Sequence, residues 1–375
     1  MRVLHIYSGN LYGGVETLLT TLARHRDSCP ALDQHFALFF TGLLSEQLRA
    51  TGATVHYLGQ VRVRRPWSIW RARRRLSNLL SRYRFEAIIC HSVWTQAVAG
   101  PAVRSAGKPL LFWLHGPADG RHWLDRWARL TRPDRAVSTS GFTENALPAL
   151  YAGVPRDVIY PPVSPPDAGD PARLRSEVRA ELGIPLNAVV IIQVSRMEGW
   201  KGHRVHLRAL KLLVDLPDWV CLLAGGAQRA GEGRYLEGLE LMAHDLGLAD
   251  RVRFLGHRSD VRQLLAASDV YCQPNEEPEP FGIALVEALW AGRPVVTSAL
   301  GGAAEIVDGS CGILAPAGDA IALATALRAL IRDPALRCRL GASGPTRASM
   351  LCDPAQQLAK LHSALEAAIR ETPHR

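Results

Sequence analysis

The stretch EPEPFGIALVEALWAGRPVV, residues 277–296, reads as loop, helix, turn and strand in one pass. From Ile283 to Gly292 its only ionisable group is Glu287, and a helix apolar on every side belongs in a core or against a bound ligand. The strand patterns DVYCQPN (269–275) and RPVVTS (293–298) flank that helix. Strand, helix and strand in succession predict a parallel sheet covered by helices. Working outward, AVVIIQVSR (188–196), WVCLLAGG (219–226), RVRFLGH (251–257) and CGILAP (311–316) supply further buried-strand patterns, each separated from the next by a helical stretch.

The same alternation runs through the first half of the chain, in VLHIY (3–7), HFALFF (35–40), TVHYL (54–58), EAIICH (86–91), LLFWLHG (110–116) and RAVSTS (135–140). Between the halves, VIYPPVSPPDAGDP (158–171) turns to Pro, Asp and Gly and reads as a hinge. The expected architecture is α/β, with two Rossmann-like, doubly wound domains. Residues 1–163 form the first, 164–171 the linker, 172–352 the second, and 353–375 a terminal helix that could either cross back onto the first domain or stay with the second. An interdomain cleft is expected, because ligands of open parallel sheets bind beyond the carboxyl ends of the strands.

Composition bounds the function. A length of 375 residues suits two or three domains, and Gly and Pro are spread rather than concentrated, as in a chain folded throughout. The seven cysteines have no paired short spacing of a zinc site or redox dithiol, which favours a reducing, cytoplasmic setting. No apolar run reaches the length of a membrane span, and MRVLHIYSG is too short and too soon interrupted for a secretory signal. The net charge is +9, and from Arg62 to Arg84 there are many arginines and no acid, interleaved with Trp67, Ile69, Trp70, Leu76, Leu79 and Leu80. Two readings stay open for that segment: a solvated arginine face on a packed helix, or peripheral contact with an anionic membrane or lipid-linked acceptor. Nucleic acid is the less suitable partner for its Trp and Arg mixture.

Several residues carry candidate chemistry. Pro280 keeps Glu279 in the loop, while Phe281, Gly282 and Ile283 supply backbone N–H groups at a helix start, a natural anion site. Glu287 follows about one and a half turns in. Two acceptors around a phosphate cradle suit a ligand with hydroxyls on both sides of a phosphate; a core helix with a structurally paired glutamate is the alternative. SRMEGWKGH (195–203) places Arg196 and Lys201 after a strand end, where they are candidates to clamp a diphosphate. In the first domain, the loop SGNLYGG (8–14) brings Gly13 and Gly14 to a strand end but matches neither a dinucleotide fingerprint nor a Walker sequence. His115 ends an apolar strand and is a candidate catalytic group, with a satisfied structural histidine as the alternative. His91 has the same placement and a weaker claim, and Glu16 reads as a first-turn acid. Arg258 is a candidate neighbour of a nucleotide base or a surface residue, and GGAAEIVDG (301–309) offers Gly301 and Gly302 for close backbone approach. No ligand-spaced cluster of His and carboxylates is present, so neither a catalytic metal nor another cofactor is expected.

Taken in order, GGVE, SRMEGWKG, FLGH, EPFGIALVEALWAGRPVV and GGAAEIVDG resemble the family 4 retaining glycosyltransferases of the GT-B fold over nearly the whole chain. The resemblance implies metal-independent transfer of a hexose from a UDP- or GDP-linked donor to a hydroxyl acceptor, with retention at the anomeric carbon. It gives Arg196, Lys201 and Gly14 to the donor diphosphate and Phe281, Gly282 and Ile283 to sugar and phosphate through their backbone. Glu279 would contact the donor sugar, Glu287 the ribose, and His115 would stand near the reacting sugar. Departures are Ser164, where many relatives carry an acid, and Ala303; both leave the donor open. An epimerase or hydrolase of the same fold and a non-catalytic sugar-nucleotide-binding subunit remain the competing readings.

Overall fold

The parallel sheets follow from runs of residues buried on both faces. In a computed structural model that describes residues 1–10, 13–166, 169–227 and 230–372, the chain divides into two compact units, residues 1–164 with 352–375, and 165–351. Leu11 and Tyr12 of the glycine-bearing loop and Asp167 and Ala168 of the hinge lie outside the described residues.

The first unit holds β1 (Arg2–Tyr7), β2 (Asp33–Leu38), β3 (Thr54–Tyr57), β4 (Ala87–His91), β5 (Leu110–Leu114), β6 (Arg135–Ser138) and β7 (Arg156–Val158), all parallel, in the order β3-β2-β1-β4-β5-β6-β7. The reversal beside β1 is a topological switch point, where loops at the carboxyl ends of neighbouring strands diverge. The strand β7 was not foreseen; it is a three-residue edge next to the proline-rich run, too short to show a pattern. One face of the sheet packs Leu18, Leu19 and Leu22 of the helix Gly14–Arg24 together with Leu358, Leu361 and Leu365 of the last helix, Pro354–Glu371. The terminal helix is therefore part of the first unit's core. Its start is fixed by Asp353, whose side chain accepts from the Gln356 N–H, with Pro354 in the first turn.

The second unit holds β8 (Val189–Val194), β9 (Trp219–Ala224), β10 (Val252–Gly256), β11 (Val270–Gln273), β12 (Val295–Ser298) and β13 (Gly312–Ala315), also parallel, in the order β10-β9-β8-β11-β12-β13. The switch point here lies between β8 and β11, so the loops that leave those strands are the ones placed to meet a ligand. The helix Pro171–Glu181 is pinned from below by Arg179, fully buried, whose guanidinium donates to Asp269 and to four backbone carbonyls.

Candidate functional site

Three strand ends of the second unit supply the candidate site. After β8 the chain makes a single helical turn, Gly199–Lys201, and then enters the helix His203–Lys211 through Gly202. Gly202 has φ +74°, and a Cβ there would stand 1.7 Å from the Pro274 carbonyl oxygen, so only glycine lets the loop after β8 lie against the loop after β11. That close approach carries Lys201 to Glu279. Lys201 Nζ lies 2.5 Å from Glu279 Oε2, with the two side chains 11% and 13% exposed. The same carboxylate oxygen accepts from Asn275 Nδ2 at 3.0 Å and from Gln273 Nε2 at 3.2 Å. The Lys201 ammonium also sits 3.8 Å from the centroid of the Trp200 ring, a cation–π contact that steadies it without neutralising it. Asn275, Gln273 and Trp200 went unnoticed in the sequence; the available signal was an amide closing an apolar strand with a second amide two residues on.

The third strand end holds the loop in place. Glu279 and Gly301 form a parallel backbone bridge, and Gly302 N–H donates to the Glu279 carbonyl at 2.8 Å. A Cβ on Gly301 would fall 2.4 Å from Glu279 O, and one on Gly302 2.7 Å from Phe281 Cα. The close approach expected of these glycines is thus made to the Glu279–Phe281 backbone. The apolar helix runs Ile283–Trp290 with Gly282 as its cap at φ +115°. Its first internal bonds run from Leu285 and Val286 N–H to the Gly282 carbonyl, so the leading N–H groups, at Ile283 and Ala284, precede the ladder and point outward from the helix start. Phe281 is buried beneath it.

Glu287 projects from that helix into a desolvated setting. Burial pushes its carboxyl up to about 7, and Arg262 pulls the other way. Arg196 follows β8 but pairs with Glu198 at 2.9 Å and, more loosely, with Glu232 at 3.9 Å, so it is held by carboxylates as a cation on the same loop as Lys201. Arg258 is forked onto Asp260, at 2.6 and 2.7 Å, and also reaches Glu181 at 3.1 Å; these partners hold its pKa above the ordinary value.

In the first unit, Gly14 is the opening residue of the helix Gly14–Arg24, and Gly13, in extended backbone, is its cap. Glu16 is a first-turn acid as read, yet it is buried; burial of the Tyr7 hydroxyl, and after it the nearby Glu16, holds that hydroxyl's pKa well up. His115 follows β5 and its Nε2 lies 2.9 Å from His91 Nδ1, while His91 Nε2 lies 3.0 Å from His5 Nδ1. His91 is therefore a fully buried link between two other imidazoles.

Two family models match the chain: "Glycosyltransferase Family 4" over residues 12–165 and "Glycosyl transferases group 1" over residues 175–347, which together take in most of it. The chain belongs to the family 4 glycosyltransferases of GT-B fold. Among relatives of this family, the D-inositol 3-phosphate glycosyltransferase of Corynebacterium kroppenstedtii is 38% identical over 208 residues, 54% of this chain and 46% of that one. The phosphatidyl-myo-inositol mannosyltransferase of Mycobacterium leprae is 44% identical over 147 residues, 38% of this chain and 37% of that one. The match thus spans less than half the length of these curated relatives. Among solved structures, Anabaena Alr3699/HepE in complex with UDP and glucose superposes with a TM-score of 0.84 at 25% identity, covering 98% of this chain and 99% of that one.

Proposed function

We propose that the chain transfers a hexose from a nucleotide diphosphate sugar to a hydroxyl acceptor, with retention at the anomeric carbon and without a metal ion. The observation that carries this reading is the Lys201–Glu279 pair next to a helix start. A cation and outward N–H groups suit a diphosphate, and a fixed carboxylate beside them suits sugar hydroxyls. Glu287, about one turn along the helix, takes the ribose, and Arg196 and Lys201 share the charge that develops on the leaving diphosphate. Arg258 borders the base. Gly14 allows close approach of diphosphate and acceptor, and His115 contacts the reacting sugar.

As the glycosidic bond breaks, positive charge builds at the anomeric carbon and negative charge on the diphosphate. The acceptor hydroxyl attacks from the face the diphosphate leaves, and a phosphate oxygen takes its proton. The HepE complexes with UDP-glucose and with UDP and glucose support UDP over GDP as the first donor to try. The names of the curated relatives support an inositol phosphate or a lipid-linked polyol as the acceptor class. The test is calorimetric titration with UDP- and GDP-sugars. Submillimolar binding by one of them, weakened in Lys201→Ala, is expected; no binding by any would overturn the reading.

A second reading concerns the basic segment. The helix Pro66–Arg82 buries Ser68, Ala72, Leu76 and Leu80 and leaves Trp67 and Trp70 53% and 61% exposed, with Arg65 and Arg71 over the first ring and Arg74 over the second. Exposed indoles flanked by arginines, with no acid between Arg62 and Arg84, suit an anionic lipid surface on the cytoplasmic side. Among the described residues no helix is long and apolar enough to cross a membrane. Co-sedimentation with phosphatidylglycerol vesicles, lost with phosphatidylcholine alone or in Trp67→Ser/Trp70→Ser, checks this contact.

A further inference from the structure

The hydrogen-bonded row His5, His91, His115 crosses the first sheet from β1 through β4 to the end of β5. The rings are nearly parallel, at 20° and 12°, with centroids 5.2 and 5.1 Å apart, the edge-to-edge spacing of an in-plane N–H···N bond; Phe36 lies against His5, and Trp113 lies beside His91 and His115. His5 and His91 are 1% and 0% exposed. Burial lowers His5 and His115 to about 3 and His91 well below its ordinary value, so all three rings are neutral at physiological pH. Each neutral ring carries one N–H. Two N···N hydrogen bonds among three such rings then allow only two proton arrangements, one running toward His115 and the other toward His5.

The far end of the row decides between them. Beyond His5, Gln34 is buried, and its amide nitrogen donates to the Leu22 carbonyl at 3.4 Å, which turns its Oε1 away from that bond. Gln34 Oε1 and His5 Nε2 are both buried, and neither makes a hydrogen bond in the structure. A carbonyl oxygen can only accept, so the arrangement that serves both atoms has His5 Nε2–H directed at Gln34. Gln34 also acts to raise the His5 pKa against the larger effect of burial, as a hydrogen-bond acceptor does.

We propose that Gln34, His5 and His91 are positioning residues that lock His115 in its Nε2–H tautomer, leaving Nδ1 bare as an acceptor for a hydroxyl of the reacting sugar. His115 Nε2–H donates to His91 Nδ1, His91 Nε2–H to His5 Nδ1, and His5 Nε2–H to Gln34. The part of this inference that concerns the sugar rests on the donor reading above; the proton arrangement does not.

The test is nitrogen NMR of the full chain labelled with 15N-histidine. The expected spectrum has His115 Nδ1 at the shift of an unprotonated ring nitrogen and His115 Nε2 coupled to a proton. A protonated Nδ1 on His115 in the wild type overturns the proposal, whether or not any donor is turned over. In His5→Phe, which keeps a ring at that place but removes its nitrogens, a mixture of His115 tautomers should appear. With a donor identified, kcat should fall about tenfold or more, as for a lost orienting partner, with the donor KM little changed. A folded His5→Phe with a single unchanged His115 tautomer also overturns it. If His5→Phe does not fold, the wild-type spectrum decides alone.

Discussion

Lys201 Nζ and Glu279 Oε2 stand 2.5 Å apart across 78 residues of sequence, and Gln273 and Asn275 donate to the same oxygen. The carboxylate is thus held by three donors from two strand ends, while the ammonium has one carboxylate partner and one aromatic face. An arriving diphosphate competes for the lysine without releasing the glutamate. Lys201→Ala should therefore weaken nucleotide diphosphate binding by about 2 kcal/mol, roughly thirtyfold, because it removes a charge-assisted contact. Gln273→Ala should leave the nucleotide diphosphate alone and lower affinity for the intact nucleotide sugar. Isothermal titration of each variant with both ligands separates the two effects.

Glu287 gives the second unit a pH dependence of definite sign. Its folded carboxyl is raised from 4.5 to about 7, so between those values the folded chain keeps a proton that the unfolded chain has released. Stability then falls as pH rises through that window and levels off above it. Glu287→Gln should be more stable than the wild type by about 2 kcal/mol at pH 8 and equal to it near pH 4. Urea denaturation at the two pH values measures the difference. Under the ribose assignment, nucleotide affinity moves oppositely, rising as the carboxylate ionises, and the variant loses that rise.

Gly202 is the position where a single methyl group should do most damage. Its positive φ and the Pro274 carbonyl directly in the path of any Cβ leave no neighbour that can yield except backbone. Gly202→Ala should cost about 3 kcal/mol or more, since strain and backbone displacement add. Glu276 N–H donates to the Trp200 carbonyl at 2.8 Å, so the same shift also disturbs Lys201 and Glu279. Loss of both Tm and donor binding is expected.

Asp269 accepts from Arg175 Nη2, Arg179 Nη2 and Val190 N–H, each at 2.7 Å. Asp269→Ala leaves the fully buried Arg179 without its counter-charge, at a cost of about 3 to 5 kcal/mol. Arg173, exposed and paired with Glu177 on the same helix, provides the contrast: Arg173→Ala should change stability by less than about 0.5 kcal/mol. Chemical denaturation of both variants checks the pair.

The fold was legible because its strands are continuous apolar runs, and period and spacing alone separate such runs from the helices between them. Edge strand β7 lacked that signal, having three residues and only partial burial. Within the site, the loop placement of Glu279 and the apolar surroundings of Glu287 could be read from Pro280 and from the lack of other charges nearby. The partner of Lys201 could not. Sequence set it beside Arg196 because both leave β8, whereas the packing of Gly202 on Pro274 swings it to the loop after β11. Arg196 meets Glu198 nearby and Glu232 on a distant helix, a choice decided by rotamers and not by spacing. The histidine row was equally hidden, since His5 and His91 sit on two strands and His115 just past a third, and only the sheet order β1-β4-β5 makes them neighbours.

The parallel bridge between Glu279 and Gly301 bears on when the site comes into being. Lys201 leaves β8, Glu279 leaves β11 and Gly301 leaves β12, so none of the local segments contains a fragment of the site able to hold a ligand. Only a chain that has already docked those three strands in order presents the whole arrangement. A nucleotide bound there acts on the completed unit alone and draws the equilibrium away from every partly assembled form. The ligand would thus double as a gauge of correct assembly, and a preparation's binding stoichiometry would count its fully folded molecules.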